Sequence, residues 1–78
     1  MIDLEVITKV NGWERLNEQQ KNILFLVMQD HAKMNEAINP TNVIKVKAGD
    51  HVNQVHVHYT SDWFHYEIDS KDGRSIWY

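Results

Sequence analysis

Two runs of alternating apolar and polar side chains follow each other in the segment VHVHYTSDWFHYEID, residues 55–69. Alternation with a period of two is typical of a β-strand that buries one face and exposes the other. Ser61-Asp62 separates the two runs and favours a turn. We therefore expect residues 52–59 and 63–69 to form two antiparallel strands joined as a hairpin.

Two more strands are predicted on either side of this hairpin. Residues 43–48 precede it with the alternating sequence VIKVKA, and residues 49–50 form the connecting turn. Residues 74–78 follow it after the sequence KDG at 71–73, which suits a type I turn closed by a left-handed glycine. The four segments together predict an antiparallel β-meander.

The alternation also assigns each side chain of the sheet to one of two faces. An even-length turn at residues 61–62 pairs Val57 with Tyr66 on the inner face, and a one-residue slip would turn a whole strand inside out. On the outer face the same register places His58 opposite His65. The inner face is expected to carry Ile44, Val46, Val55, Val57, Tyr59, Phe64, Tyr66 and Ile68.

The face on which Trp77 lies depends on the last turn. A turn with a glycine bulge pairs Ile68 with Ile76, puts Ile76 and Tyr78 on the inner face and points Trp77 outward, which is the arrangement we expect. A plain two-residue turn at Asp72-Gly73 would reverse the two faces. The sequence leaves both arrangements open.

One helix precedes the sheet. Asn17 is a favourable N-cap, and Gln20 lies three residues later, which is the spacing of a capping box. The helix is expected to run to about Ala37, because the residue before Pro40 is driven out of the α region. Its face toward the sheet is expected to carry Leu24, Val27, Met28, His31, Met34 or Asn35, and Ile38.

The N-terminal segment fits two secondary structures. The alternation that begins at Ile2 favours a strand. Asp3 as N-cap and Gly12 just past the end favour a helix, which we prefer because its start and stop signals agree. The expected fold is an α+β domain over residues 1–78, with one or two N-terminal helices packed on a three- to four-stranded antiparallel β-meander.

Composition argues against several classes of protein. The 78 residues include no cysteine, so neither disulfides nor thiolate metal sites are expected. We find no apolar run long enough to span a bilayer and no secretion signal, and we expect a cytoplasmic protein without a membrane partner. A net charge of −3 makes nucleic acid an unfavourable partner.

Histidines dominate the expected outer face of the sheet. His56 and His58 are two residues apart on one strand and therefore point to the same side. The expected register sets His65 opposite His58 and Glu67 opposite His56, with Cβ atoms about 5 Å apart. The imidazoles of His56, His58 and His65 suit zinc with one open coordination position, whereas the competing interpretation is a polar face that holds no cofactor.

The same face is suited to a protein partner. Trp63 and Trp77 are expected beside the histidines, and tryptophan contributes strongly to the energy of protein contacts. Lys45 and Glu67 would supply orienting charges. The expected contact residues are Trp63, Trp77, His56, His58, His65, Lys45 and Glu67.

The first half of the helix carries more apolar side chains than one buried face needs. Ile23, Phe25 and Leu26 lie off the stripe that faces the sheet. They need either the N-terminal segment or a second molecule to cover them. We expect self-association, for which a symmetric dimer is the commonest form.

The function expected from these features is not enzymatic. The sequence contains no nucleophile elbow, no cysteine and no glycine-rich phosphate loop. We expect a small protein-binding module without a cofactor, acting as a regulator, inhibitor or accessory subunit of the kind that phages and mobile elements encode. A zinc-binding domain is the first alternative, and a single-stranded nucleic-acid binder is the second. The partner and the pathway do not follow from the sequence.

Overall fold

The computed structural model describes residues 4–78 and has one long helix packed on a four-stranded antiparallel sheet, which confirms the α+β class. Neighbouring strands follow each other in the chain, as in a meander. Ile2 and Asp3, on which the two predictions for the N-terminal segment draw, lie outside the described residues. The elements are α1 Glu18–Met34, β1 Val43–Ala48, β2 Val55–Tyr59, β3 Trp63–Ile68 and β4 Ser75–Trp77.

The helix begins with the predicted capping box. The Asn17 side chain accepts a hydrogen bond from the Gln20 N–H at 2.7 Å, and the Gln20 side chain accepts one from the Asn17 N–H at 3.0 Å. The helix ends at Met34, short of the expected Ala37, because Asn35 is extended and its side chain accepts the Ala37 N–H at 2.9 Å. Met34 is 77% exposed and Asn35 is exposed too, so neither belongs to the buried face.

The N-terminal segment is helical, in the tighter 3-10 form. Leu4–Lys9 forms one 3-10 helix, whose Ile7 is fully buried, and Trp13–Arg15 forms another. Between them Asn11 makes a parallel bridge to β1, where its carbonyl oxygen accepts the Val46 N–H at 2.9 Å. The segment therefore covers part of the edge of β1, which would otherwise present unpaired backbone groups.

The register between β2 and β3 is displaced by two residues from the predicted one. His56 lies opposite His65, where the sequence predicts His58 in that position. The hairpin loop is shorter than expected, because the Tyr59 N–H donates to the Asp62 carbonyl oxygen at 2.7 Å. A displacement by two changes every cross-strand pair but keeps each side chain on its predicted face, since side chains alternate.

The first hairpin also departs from the prediction. A register shift within β1 leaves Ile44 56% exposed instead of on the inner face. β2 begins at Val55 rather than at residue 52. The reason is a loop between the two strands, closed where the Gln54 carbonyl oxygen accepts the Gly49 N–H at 2.8 Å.

The last turn places Trp77 on the inner face, which corrects the outward position expected for it. The Asp69 N–H donates to the Arg74 carbonyl oxygen at 2.8 Å, so an even number of residues separates β3 from β4. Trp77 then stacks on His31 of α1, with ring centroids 4.7 Å apart. Its neighbour Tyr78 lies on the outer face.

The core lies between α1, the N-terminal segment and the inner face of the sheet. Burial of the Tyr59 phenol raises its pKa to about 12, and burial raises the pKa of Tyr66 as well. Both hydroxyls are hydrogen-bonded, as buried polar groups normally are. The apolar core consists of Ile7, Leu16, Ile23, Leu24, Val27, Met28, Ile38, Val46, Val55, Val57, Tyr59 and Tyr66.

Candidate binding face

The outer face of the sheet, opposite the face that packs on α1, carries a continuous cluster of rings. Trp63 lies at its centre. The Trp63 ring is parallel to the His58 ring within 8°, and their centroids are 5.3 Å apart. The centroid of the His65 ring lies 4.7 Å from that of Trp63. The Trp63 side chain is 49% exposed. We call this set the outer ring cluster, and its members are His56, His58, Trp63, His65 and Tyr78.

Tyr78 extends the cluster beyond β4. Its ring stacks on that of His65 at 9°, with centroids 4.6 Å apart, and His65 Nδ1 donates to its backbone carbonyl oxygen at 3.1 Å. The side chain is 58% exposed. The sequence prediction misses Tyr78 because it assigns that residue to the inner face. The length of the turn between β3 and β4 determines on which face Tyr78 lies.

A buried amide joins the outer ring cluster to its acidic rim. Gln54 is 3% exposed, and its Nε2 donates to Glu67 at 2.9 Å and to the Tyr78 hydroxyl at 3.0 Å. The Tyr78 hydroxyl also donates to Glu67, which lowers the pKa of that carboxyl and raises the pKa of the phenol. Glu67 is therefore an ionised acceptor whose orientation is set by two donors.

The two histidines of β2 are more enclosed than residues on an open sheet face usually are. His56 is 7% exposed, its Nε2 lies 3.1 Å from Gln54 Oε1, and its Nδ1 has no hydrogen-bond partner among residues 4–78. The same part of the chain offers no partner to the buried Nε2 of His58. Burial lowers the pKa of both imidazoles, and His65 lowers that of His56 further. Both rings therefore favour the neutral form more than a solvated imidazole does.

Opposite charges flank the outer ring cluster on its two sides. Lys45 lies opposite His58 and Lys47 opposite His56 across the β1–β2 ladder, and both lysines are exposed. Glu67 lies on the far side, on β3. The face thus has a basic edge, an aromatic centre and an acidic edge.

Most of the predicted contact residues share this face. Trp77 is the exception, because it is held between the sheet and His31 of the helix. Those that the structure brings together are Trp63, His56, His58, His65, Lys45 and Glu67.

The three predicted histidine ligands do not converge on one point. The donor atoms that do converge belong to Asp50, His56 and His65, and they lie within 4.8 Å of one another. His58 is set apart because the displaced register puts Trp63 opposite it. The sequence prediction misses Asp50 because this residue lies in the turn after β1. The alternation of apolar and polar residues predicts strands and their faces, but not where the side chains of a turn lie.

The residues predicted to promote self-association occupy different environments. Ile23 is 4% exposed and belongs to the core, so it is not available to a second molecule. Phe25 packs against Trp13 of the N-terminal segment, with ring centroids 5.1 Å apart. Leu26 is 55% exposed. The N-terminal segment therefore covers much of the surplus apolar surface of α1.

Comparison of the chain with protein-family models, with curated proteins and with solved structures finds no match. In the part of the chain that the structure describes, no helix combines the length and the apolar character needed to cross a bilayer.

Proposed function

We propose that this protein is a non-enzymatic module that binds another protein through the outer ring cluster. The observation that carries the proposal is Trp63, which is 49% exposed although its ring is stacked on that of His58. An aromatic side chain that neighbours already hold in place loses little conformational freedom when a partner covers it. Tryptophan at the centre of an interface is among the residues whose truncation costs the most binding energy.

The charges around the outer ring cluster define the chemistry of the partner. Lys45 and Lys47 line one side, and Glu67 is held on the other by Gln54 and Tyr78. A complementary protein surface places an acidic group against the lysines, an apolar patch over the rings and a basic group against the carboxylate. Such an arrangement fixes the orientation of the partner and speeds its association.

The biological roles that suit a module with one binding face are those of a regulator, an inhibitor or an accessory subunit. A cytoplasmic location is part of this proposal, and fractionation of cells that express the tagged chain would test it. An origin in a phage or mobile element stays a prediction from the sequence.

Affinity purification with three versions of the chain tests the binding face. Wild type, Trp63→Ala and Leu26→Ala are immobilised, incubated with lysate, and compared by quantitative mass spectrometry. We expect a protein that wild type and Leu26→Ala retain and that Trp63→Ala loses. Leu26 is the control, because it is an exposed apolar residue (55%, against 49% for Trp63) that lies on the helix, where its expected role is contact with a second copy of the chain and not with a partner from the lysate.

The interaction is then reconstituted from the purified partner and measured by calorimetry. Trp63→Ala is expected to weaken binding by about thirtyfold, which corresponds to about 2 kcal/mol. Lys45→Glu is expected to slow association and to make it less dependent on salt. A partner lost with Leu26→Ala but retained by Trp63→Ala would contradict the proposal. Oligonucleotide binding that requires Trp63 and weakens steeply with salt would favour the nucleic-acid alternative instead.

A further inference from the structure

Three donor groups meet at the end of the outer face that is nearest the turn between β1 and β2. One donor atom from each of Asp50, His56 and His65 lies within 4.8 Å of the other two. The β2–β3 ladder sets the two imidazoles opposite each other, with ring centroids 4.7 Å apart and planes at 82°. Asp50 reaches the same point from the turn and is exposed.

The hydrogen bonds of Gln54 decide which nitrogen of His56 carries the proton. Gln54 Oε1 accepts the Asp50 N–H at 2.8 Å, and its Nε2 donates to Glu67, so the orientation of the amide is defined. A carbonyl oxygen only accepts, and His56 Nε2, 3.1 Å from Gln54 Oε1, is therefore the protonated nitrogen. The lone pair is left on Nδ1, which is buried and has no hydrogen-bond partner within residues 4–78.

His65 is oriented by the same principle. Its Nδ1 lies 3.1 Å from the backbone carbonyl oxygen of Tyr78, so Nδ1 donates and Nε2 keeps the lone pair. Histidines that bind metals almost always donate their other ring N–H to a carbonyl or carboxylate group, and that bond fixes the orientation of the ring. Both His56 and His65 already have this supporting bond.

We propose that Asp50, His56 and His65 form a binding site for one zinc ion. The ligand atoms are His56 Nδ1, His65 Nε2 and a carboxylate oxygen of Asp50, and a water molecule completes the tetrahedron. A buried lone pair without a hydrogen-bond partner costs the fold free energy, and coordination of an ion removes that cost. The site shares His56 and His65 with the outer ring cluster, but it requires neither Trp63 nor Lys45, so zinc binding and protein binding are tested by different substitutions.

Coordination requires the three groups, each of which has one donor atom within 4.8 Å of the others, to draw closer together. Zinc bonds of about 2.0–2.1 Å in a tetrahedron set neighbouring donors roughly 3.3 Å apart. Asp50 is exposed in a turn, so its side chain has room to move toward the two imidazoles. Lys47 lies opposite His56 and its positive charge repels a cation at the site, whereas the negative charge of Asp50 attracts one. The negative charge of Asp50 thus offsets the repulsion between Lys47 and a bound cation.

Calorimetric titration of the full chain with zinc chloride tests the site. We expect one zinc ion per chain and a loss of affinity of at least about tenfold in both Asp50→Asn and His65→Gln. His51→Gln and His58→Gln are matched controls, because they remove a histidine beside Asp50 in the chain or on the same face; both should bind zinc as the wild type does. Circular dichroism establishes that each variant is folded.

Nuclear magnetic resonance of the wild type tests the ligand atoms without any substitution. Long-range correlations between ring protons and ring nitrogens identify which nitrogen binds the ion. With one equivalent of zinc, we expect His56 Nδ1 and His65 Nε2 to shift while His56 Nε2 stays protonated. Zinc on His51 or His58, zinc binding that survives both Asp50→Asn and His65→Gln, or no saturable binding at micromolar concentrations would each overturn the proposal.

Discussion

Nδ1 of His31 lies 2.8 Å from the hydroxyl oxygen of Tyr66, and this contact ties the helix to the centre of the sheet. The Tyr66 hydroxyl also hydrogen-bonds to that of Tyr59, so a chain of polar groups crosses the core. The His31 ring stacks on Trp77 and meets the edge of Phe64. The imidazole is thus a structural part of the interface between helix and sheet.

Acid is expected to destabilise the fold through His31. Burial lowers the pKa of this imidazole below its ordinary value of 6.5, so the folded state resists a proton that the unfolded state accepts. Its contribution to stability is complete above the unfolded-state pKa and is lost as the pH falls through the lowered folded-state pKa. Urea unfolding between about pH 7 and pH 5 would show the free energy of unfolding decreasing.

A substitution assigns that pH dependence. His31→Gln keeps a side chain that can hydrogen-bond to Tyr66 but cannot take up a proton, so we expect it to lower stability at pH 7 and to reduce the slope of the curve. The slope that remains is expected from His56 and His58, whose pKa values burial also lowers. His51→Gln is the control, since the His51 side chain is 53% exposed, and it should keep the wild-type curve. Equal slopes for His31→Gln and wild type would show that His31 is not responsible.

Alkali is expected to destabilise the fold through Tyr59. Burial raises the pKa of this phenol from 10.0 to about 12, so between these values the unfolded state loses a proton that the folded state keeps. The stabilising contribution, about 3 kcal/mol, is complete below pH 10 and is lost as the pH rises toward 12. In urea titrations, Tyr59→Phe should lose less stability over this range than wild type does, and parallel losses would contradict the assignment.

Two glycines with positive φ are expected to respond very differently to alanine. Gly12 has φ +98°, and a Cβ there would lie 1.9 Å from the Val46 carbonyl oxygen. Gly73 has φ +71°, but its Cβ would meet no atom of the described residues within 4 Å. We expect Gly12→Ala to cost about 3 kcal/mol or more and Gly73→Ala about 1 kcal/mol. Thermal unfolding would measure the stability of both variants. Similar losses of stability would show that the backbone of β1 near Val46 moves away from the added methyl group at little cost.

The capping box is expected to contribute measurably to stability. Asn17→Ala removes the acceptor of the Gln20 N–H and should cost about 1 kcal/mol. Asn22→Ala is the control, because Asn22 is exposed on the same helix, and its effect should stay within about 0.5 kcal/mol. Chemical denaturation measures both. Equal effects of the two substitutions would show that the cap adds nothing.

Self-association through α1 stays a prediction, and within the set named from the sequence it depends on Leu26. This side chain is 55% exposed, while Ile23 is in the core and Phe25 packs on Trp13. Sedimentation velocity over a wide concentration range should show a dimer for wild type and a monomer for Leu26→Asp. A wild type that is monomeric at every concentration would refute the prediction.

Much of the fold could be predicted because its signals are local. The capping box at Asn17 depends on atoms three residues apart, and the strands depend on alternation over a few residues. The outward position of His56, His58 and His65 also holds, since a register displaced by two residues leaves the faces unchanged.

The composition of the candidate site was less predictable because it depends on turns. The short loop after Tyr59 changes which residues lie opposite each other on β2 and β3. The turn between Asp69 and Arg74 contains an even number of residues, and for that reason Tyr78 instead of Trp77 lies on the outer face. Asp50 comes near His56 only because the turn after β1 brings it there.

The sequence by itself determined the α+β class, the start of the helix and the polarity of each face of β2 and β3, because alternation and capping act between near neighbours in the chain. Only the tertiary structure decided that His56 faces His65, that Tyr78 joins the outer ring cluster and that Trp77 does not. The physical reason is that one hydrogen bond in a turn sets the register of a whole ladder, and turns of different length satisfy the same alternation pattern.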